Sequence, residues 1–233
     1  MRASSGAIEY HAGLAGDWER KYTARRSFRA RGRRIASLIE GVVEPGARWL
    51  DAGCGSGHFS RQLASLGAHV SAVDGAEDMI AAARGLGAGA PGDVVYRTSG
   101  DLAHLPEPDG AFDGVLCSSV LEYLAEPEQA LAEFARVTRG GGTLVVTLPN
   151  ARALIRRVHA LQFAVTKSVG REPAPAYWAH MKHMWTLAQA GSFVRAAGFE
   201  PSSIRAGGLG LGPAWLDEQT FWGPLLFVCA VRR

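Results

Sequence analysis

A glycine-rich turn and three acidic residues carry the chemistry that this sequence offers. Residues 49–57 read Trp-Leu-Asp-Ala-Gly-Cys-Gly-Ser-Gly and lie between an apolar run that reads as a strand and a following helical pattern. Glycines let a backbone turn tightly and approach a ligand, and a helix after such a turn offers free N–H groups. Gly53, Cys54 and Gly55 are therefore candidate contacts for a nucleotide-like ligand. A dinucleotide-binding fingerprint needs a third glycine at position 58, where this chain has His58. Asp51, at the tip of the strand, repels a pyrophosphate but accepts from an ammonium group. Asp74-Gly75 closes the next strand 23 residues later, where an acid takes ribose hydroxyl protons; capping the helix that begins near Ala76 is its alternative role. In Gly100-Asp101-Leu102, the carboxylate accepts from an adenine amino group while Leu102 covers the ring. Ammonium, ribose and adenine, in that chain order, are the polar parts of S-adenosylmethionine (SAM).

The elements that position these residues alternate. Apolar runs at Ala47–Leu50, His69–Val73, Val94–Tyr96, Phe112–Cys117 and Thr143–Leu148 read as strands. The gaps leave room for a helix or loop at Phe59–Leu66, Glu77–Leu86, Asp101–Pro108 and Pro127–Val137, which implies a parallel sheet with right-handed crossovers. Upstream, Trp18–Val43 reads as one or two helices that Pro45-Gly46 stops. Downstream, Ala151–Val169 places Leu154, Ile155, Val158, Leu161 and Val165 near helical spacing opposite Arg152, Arg156 and His159. A further helix at Leu187–Ala197 precedes two last strands, Phe199–Ile204 and Leu225–Val231.

Composition bounds the function classes. The 233 residues are 47% hydrophobic and 20% charged, enough for one packed α/β domain. The net charge of +3 favours no nucleic-acid partner, Cys54, Cys117 and Cys229 are too scattered for a disulfide framework, and no run of about 18 apolar residues spans a membrane, so a cytoplasmic protein is expected.

Taken together, the motifs resemble the class I SAM-dependent methyltransferases, in particular the group that includes the ubiquinone-biosynthesis O-methyltransferases. They are Leu50-Asp51-Ala52-Gly53-Cys54-Gly55-Ser56-Gly57, Val73-Asp74-Gly75, Gly100-Asp101-Leu102, Phe112-Asp113-Gly114-Val115, Val120-Leu121-Glu122-Tyr123-Leu124 and Gly140-Gly141-Gly142-Thr143-Leu144. The likeness runs from about residue 18 to 205 and departs at Pro149-Asn150 and at Arg139-Gly140, where such proteins commonly have a proline. It implies a doubly wound, Rossmann-like, seven-stranded sheet, mostly parallel with the last strand antiparallel and helices on both faces. It also implies SAM contacts at Gly53, Asp74, Asp101 and Cys117-Ser118, with Met79 near the adenine. Residues 1–45 would form a helical lid and 150–185 a substrate-covering insertion within the single domain 1–233.

Under that resemblance the acceptor is a small apolar or aromatic metabolite, methylated on oxygen in preference to nitrogen or carbon. An acceptor hydroxyl needs a proton acceptor, for which Glu122, His180 and His183 are candidates. Glu122 equally suits a solvent-facing helix start, and His183 the organisation of the helix at Leu187. His180 and His183 lack a third metal ligand nearby, so no metal is expected. Trp18, Tyr22, Tyr177, Trp178 and Trp215, outside the nucleotide-binding core, are candidate acceptor contacts or flank packing.

Eight basic residues lie between Arg20 and Arg34 with no acid among them. They read as a solvated face or as a lid whose arginines meet the SAM carboxylate or an anionic acceptor, a role that the resemblance to the quinone group gives to Arg29 or Arg33. The 151–169 helix reads as a lid helix packed by its apolar side or as a peripheral contact with an anionic membrane. Rival readings are an NAD-dependent oxidoreductase, a non-catalytic SAM-binding partner protein, and a nucleic-acid module using the Arg20–Arg34 cluster.

Overall fold

The computed structural model describes residues 5–89, 92–168, 170, 176–210 and 218–233. Three helices, α1 (Ser5–Ala12), α2 (Ala15–Ala24) and α3 (Arg26–Glu40), precede β1 (Arg48–Ala52). Then follow α4 (His58–Ser65), β2 (His69–Asp74), α5 (Glu77–Gly87), β3 (Asp93–Thr98) and β4 (Phe112–Ser118). The chain continues through α6 (Pro127–Val137), β5 (Thr138–Pro149), α7 (Leu154–Ser168), α8 (Leu187–Ala196), β6 (Phe199–Gly207) and β7 (Leu225–Arg232). The seven-stranded sheet has the order β3-β2-β1-β4-β5-β7-β6. Pairings among β1 to β5 are parallel, and β7 runs antiparallel to both of its neighbours. The expected doubly wound architecture is therefore present.

Alternation along the strands builds a core on each face. Leu50, Val115, Leu144 and Val228 pack with Leu131 and Phe134 of α6 and Val194 of α8. Their neighbours Trp49, Leu116, Val145 and Phe227 pack with Ile35 and Ile39 of α3 and Phe59 and Leu63 of α4. The Asp101–Pro108 gap is a turn rather than a helix, and α1 is an element that the polar start did not announce.

The orientation of α7 differs from the sequence expectation. Ile155, Arg156 and His159 face inward, while Val158, Leu161 and Val165 are exposed. The helix therefore turns Arg156 and His159 into the protein and an apolar stripe outward. Asn150, fully buried between β5 and α7, explains the departure at Pro149-Asn150: its amide donates to Thr220 O (2.6 Å) and Gly223 O (2.7 Å). It thereby ties the end of β5 to the approach to β7.

Candidate active site

A cavity of about 800 Å³ opens at the carboxyl ends of β1, β2 and β4. Strand order reverses between β1 and β4, the place where open α/β sheets receive ligands. The strand ends supply Gly53–Gly55, Asp74-Gly75 and Ser118-Ser119, and α1, α2, α3, α7 and the 3-10 turn Ala176–Ala179 supply the cover.

The amides of Gly53, Cys54 and Gly55 are engaged within the protein. Gly53 and Cys54 N–H both donate to Val73 O (2.8 and 2.9 Å), and Gly55 N–H donates to Asp74 Oδ2 (2.9 Å). The glycines act by shape. Gly53 has φ +79°, and a Cβ there would stand 2.2 Å from Val120 Cγ2. Asp74 also accepts from Ala76 N–H (2.9 Å), so the turn-capping role and the cavity position coexist in one carboxylate. Burial raises its pKa. Met79, Gly75 and Leu102 line the wall beyond it, together with Ile8 of α1.

Four expected cofactor residues do not face the cavity. Asp51 is buried beneath the loop, where Oδ2 accepts from Ser60 Oγ (2.6 Å); burial pushes its pKa up to about 7 despite that bond. Asp101 turns toward its own loop, accepting from Ala103 N–H (3.0 Å) and facing His104 Nδ1 (3.0 Å), so that its neighbours Gly100 and Leu102 reach the cavity instead. Cys117 is in the core, leaving Ser118 as the residue of that pair that lines the cavity. Arg33 is exposed on α3, and the arginine that enters the cavity is Arg31.

Arg31 is 9% exposed and donates to Ser119 Oγ (3.0 Å) and Tyr22 Oη (3.2 Å). A sequence signal marked it: Arg31 follows Phe28 by three and precedes Ile35 by four, in the stripe that α3 buries. Ser119 has φ +58°, the single non-glycine residue with positive φ among those described. That costly conformation turns the chain from β4 into the 3-10 turn Leu121–Tyr123. No residue type announces it.

Glu122 sits in that turn, 3% exposed and lining the cavity. Its Oε2 is buried without a hydrogen-bond partner, and burial pushes its pKa up to about 7 against the fields of Arg156 and Arg31. Neither expected histidine joins it. His183 Nε2 donates to Leu124 O (3.1 Å), and the Lys182 and His183 amides hold Glu122 O (2.8 and 3.3 Å). His180 stacks on Tyr10 at 5.0 Å between centroids. The histidines that do line the cavity are His11 and His159, each with its pKa lowered chiefly by burial.

Trp18, Tyr22 and Tyr177 line the cavity, Trp178 packs beside it against His159, and Trp215 lies outside the described residues. Glu19 fastens α2 to the glycine loop. Its carboxylate meets Ser56 Oγ (2.8 Å), His58 Nδ1 (2.8 Å) and Arg61 Nη2 (2.9 Å). His58, the residue that breaks the dinucleotide fingerprint, also stacks on Tyr22 at 3.9 Å.

Comparison with known proteins agrees with this arrangement. The methyltransferase domain family model matches residues 50–146. The chain is 37% identical over 123 residues to malonyl-[acyl-carrier protein] O-methyltransferase of Serratia marcescens, covering 53% of this chain and 46% of that protein. It is 39% identical over 119 residues to ubiquinone biosynthesis O-methyltransferase of Xanthomonas campestris pv. campestris, covering 50% and 49%. The chain thus spans about half the length of the curated relatives it matches. Magnesium protoporphyrin IX methyltransferase of Synechocystis PCC 6803, solved with bound S-adenosylhomocysteine (SAH), superposes with TM-score 0.70 at 21% identity over 97% of each chain, a likeness of fold. By its domain match over residues 50–146, its motifs and its fold, the chain is similar to the class I SAM-dependent methyltransferases.

Proposed function

We propose that this chain transfers the methyl group of SAM to the oxygen of a small aromatic acceptor. The observation that carries the proposal is the pairing, in one cavity, of the Gly53–Asp74 cradle with a buried carboxyl, Glu122, that has an unpartnered oxygen. The residues suit the cofactor. Met79, Gly75 and Leu102 form an apolar slot for the adenine, Asp74 retains lone pairs for ribose hydroxyls, and the buried, unpartnered Nε of Arg31 suits the methionine carboxylate.

When bound, SAM supplies an electrophilic methyl group on a sulfonium that leaves as a neutral thioether. The chain's part is alignment and exclusion of water. Helices α1 to α3 act as the lid, clasped to the glycine loop by Glu19, and α7 and the turn Ala176–Ala179 cover the acceptor side. Glu122 would take the proton that the acceptor hydroxyl gives up on methylation. A group whose pKa is near 7 is matched to that task.

Calorimetric titration with SAM, SAH and NAD, repeated on Asp74→Ala, tests the proposal. Micromolar SAM binding that the variant loses, followed by methyl transfer to phenols, supports it. Binding of NAD but not of SAM overturns it in favour of an oxidoreductase.

A membrane reading is favoured by one observation, the outward stripe Val158, Leu161 and Val165 flanked by exposed Arg157 and Lys167 on a helix without acids. Such a face suits a cytoplasmic enzyme that docks on anionic lipid to collect a lipophilic acceptor. Among the described residues no helix is long and apolar enough to cross a membrane. Flotation with anionic vesicles at low salt tests the docking, and failure to float removes it.

A further inference from the structure

Methyl transfer to a neutral phenol leaves Arg156 without a task. This residue of α7 is 8% exposed and lines the acceptor side of the cavity. Nη1 faces Tyr177 Oη at 3.2 Å and Met181 Sδ at 4.0 Å, Nη2 donates to Pro224 O (2.9 Å), and Nε is buried with no acceptor. Among the described residues, no carboxylate stands within 4.0 Å of its nitrogens. Glu122 feels its field but makes no ion pair with it, and keeps its own Oε2 unpartnered.

A buried guanidinium with neutral partners only is costly, because the charge has left water without meeting an opposite one. The cost is relieved if a ligand brings the anion. Arg31 does not compete for that role, since it is held on the β4 side by Ser119 and Tyr22, whereas Arg156 is held by Tyr177 and the backbone before β7. The walls near Arg156 are ring-rich, with Tyr10, Tyr123 and Tyr177 lining the cavity.

We infer that the acceptor is an aromatic hydroxy acid, whose carboxylate is held by Arg156 and the Tyr177 hydroxyl while its reacting hydroxyl faces Glu122. The inference rests on the methyltransferase reading and names its substrate class. An arginine grips a carboxylate through two parallel N–H donors, and a neutral amide of the same shape loses the charge assistance while keeping the ring contacts.

The test uses the full chain saturated with SAH, titrated calorimetrically near neutral pH with dihydroxybenzoate, caffeate and the primary amide of each. The acids are expected to bind about tenfold or more tightly than their amides. That preference should vanish in Arg156→Gln and return in part in Arg156→Lys. Equal affinity of acid and amide for the wild-type protein, or no acid binding, overturns the inference, as does an acid preference that survives Arg156→Gln. The wild-type comparison decides the matter even where Arg156→Gln fails to fold. Absence of SAH binding defeats the methyltransferase reading itself, whereas SAH binding without acid preference defeats the substrate class alone.

Discussion

The two halves of the cavity are held together by different kinds of bond. On the cofactor side, the positions of Gly53, Cys54, Gly55 and Asp74 follow from hydrogen bonds that involve the backbone of two adjacent strand ends, Val73 O and the amides of Gly55 and Ala76 among them. On the acceptor side, the arrangement comes from side chains distant in sequence, Tyr10 with His180 and Arg156 with Tyr177, while the lid is fastened over the cofactor side by Glu19 with Ser56, His58 and Arg61 and by Arg31 with Ser119. The first half is a local consequence of the fold and is expected to be rigid. The second can be retuned by single substitutions, which is how one scaffold takes different acceptors.

The sharpest way to test the division is Glu122→Gln. It removes the proton acceptor with little change of shape, so the methyl-transfer rate is expected to fall by roughly 10²- to 10⁴-fold while SAH affinity is retained. The pH profile supplies the sign. Wild-type kcat/KM rises with pH through about 7 as Glu122 loses its proton, and the variant lacks that limb. The same group affects stability. Its folded pKa of about 7 exceeds the ordinary 4.5, so between these values the native state holds more protons and its stability falls as pH rises. The loss is on the order of 3 kcal/mol, from 1.36 kcal/mol per unit. Buried Asp51 changes stability in the same direction. Glu122→Gln should therefore raise Tm more at about pH 8 than at about pH 5. A weakening of SAH binding equal to the loss in rate would place Glu122 in the cofactor half and break the comparison.

Next in size is Gly53→Ala. A methyl group at a φ of +79°, 2.2 Å from Val120 Cγ2, cannot be accommodated without moving the loop or the start of the Glu122 turn. Backbone strain alone is worth roughly 1–3 kcal/mol. SAH affinity is expected to fall by about 100-fold, read by calorimetry, with some loss of Tm. Unchanged SAH affinity would show that the loop is adaptable and that the cofactor half is not the rigid one.

The same division explains what the sequence disclosed. Gly53, Gly55 and Asp74 were legible because strand, turn and helix follow one another along the chain and the ligand edge is set by topology. The sheet order was legible for the same reason, because alternating strands and helices leave few right-handed arrangements. Asp51 lies near the end of β1, as its place before the glycine loop implies, but its side chain points beneath the loop. In β1 successive residues face opposite sides, and Asp51 meets Ser60 beneath the loop. Arg156 was read as the solvent side of α7 because apolar spacing was equated with the inner face, and a cavity with polar lining reverses that rule. His11 and Ser119 had no local signature, since α1 reaches the site only through tertiary packing and a serine at φ +58° looks like any other serine.

The smallest expected effect sharpens the comparison within one helix. Arg31 and Arg33 are two positions apart on α3, which rotates the second side chain about 200° from the first. Arg31 is buried against Ser119 and Tyr22, and Arg33 is exposed. Arg31→Gln should weaken SAM and SAH by about tenfold, the value of a charge-assisted contact with a carboxylate. Arg31→Lys should recover only part of this, since an ammonium cannot reach Ser119, Tyr22 and the ligand with the same planar fork. For Arg33→Gln the expected change is less than about twofold in affinity and within about 0.5 kcal/mol in stability, as for an exposed surface residue. Equal losses at both positions would mean that the basic cluster acts on the methionine carboxylate through its overall field rather than through a contact specific to Arg31. Raising the salt concentration separates the cases, because a general field is screened over about 10 Å at 0.1 M whereas a buried contact at Arg31 keeps most of its strength.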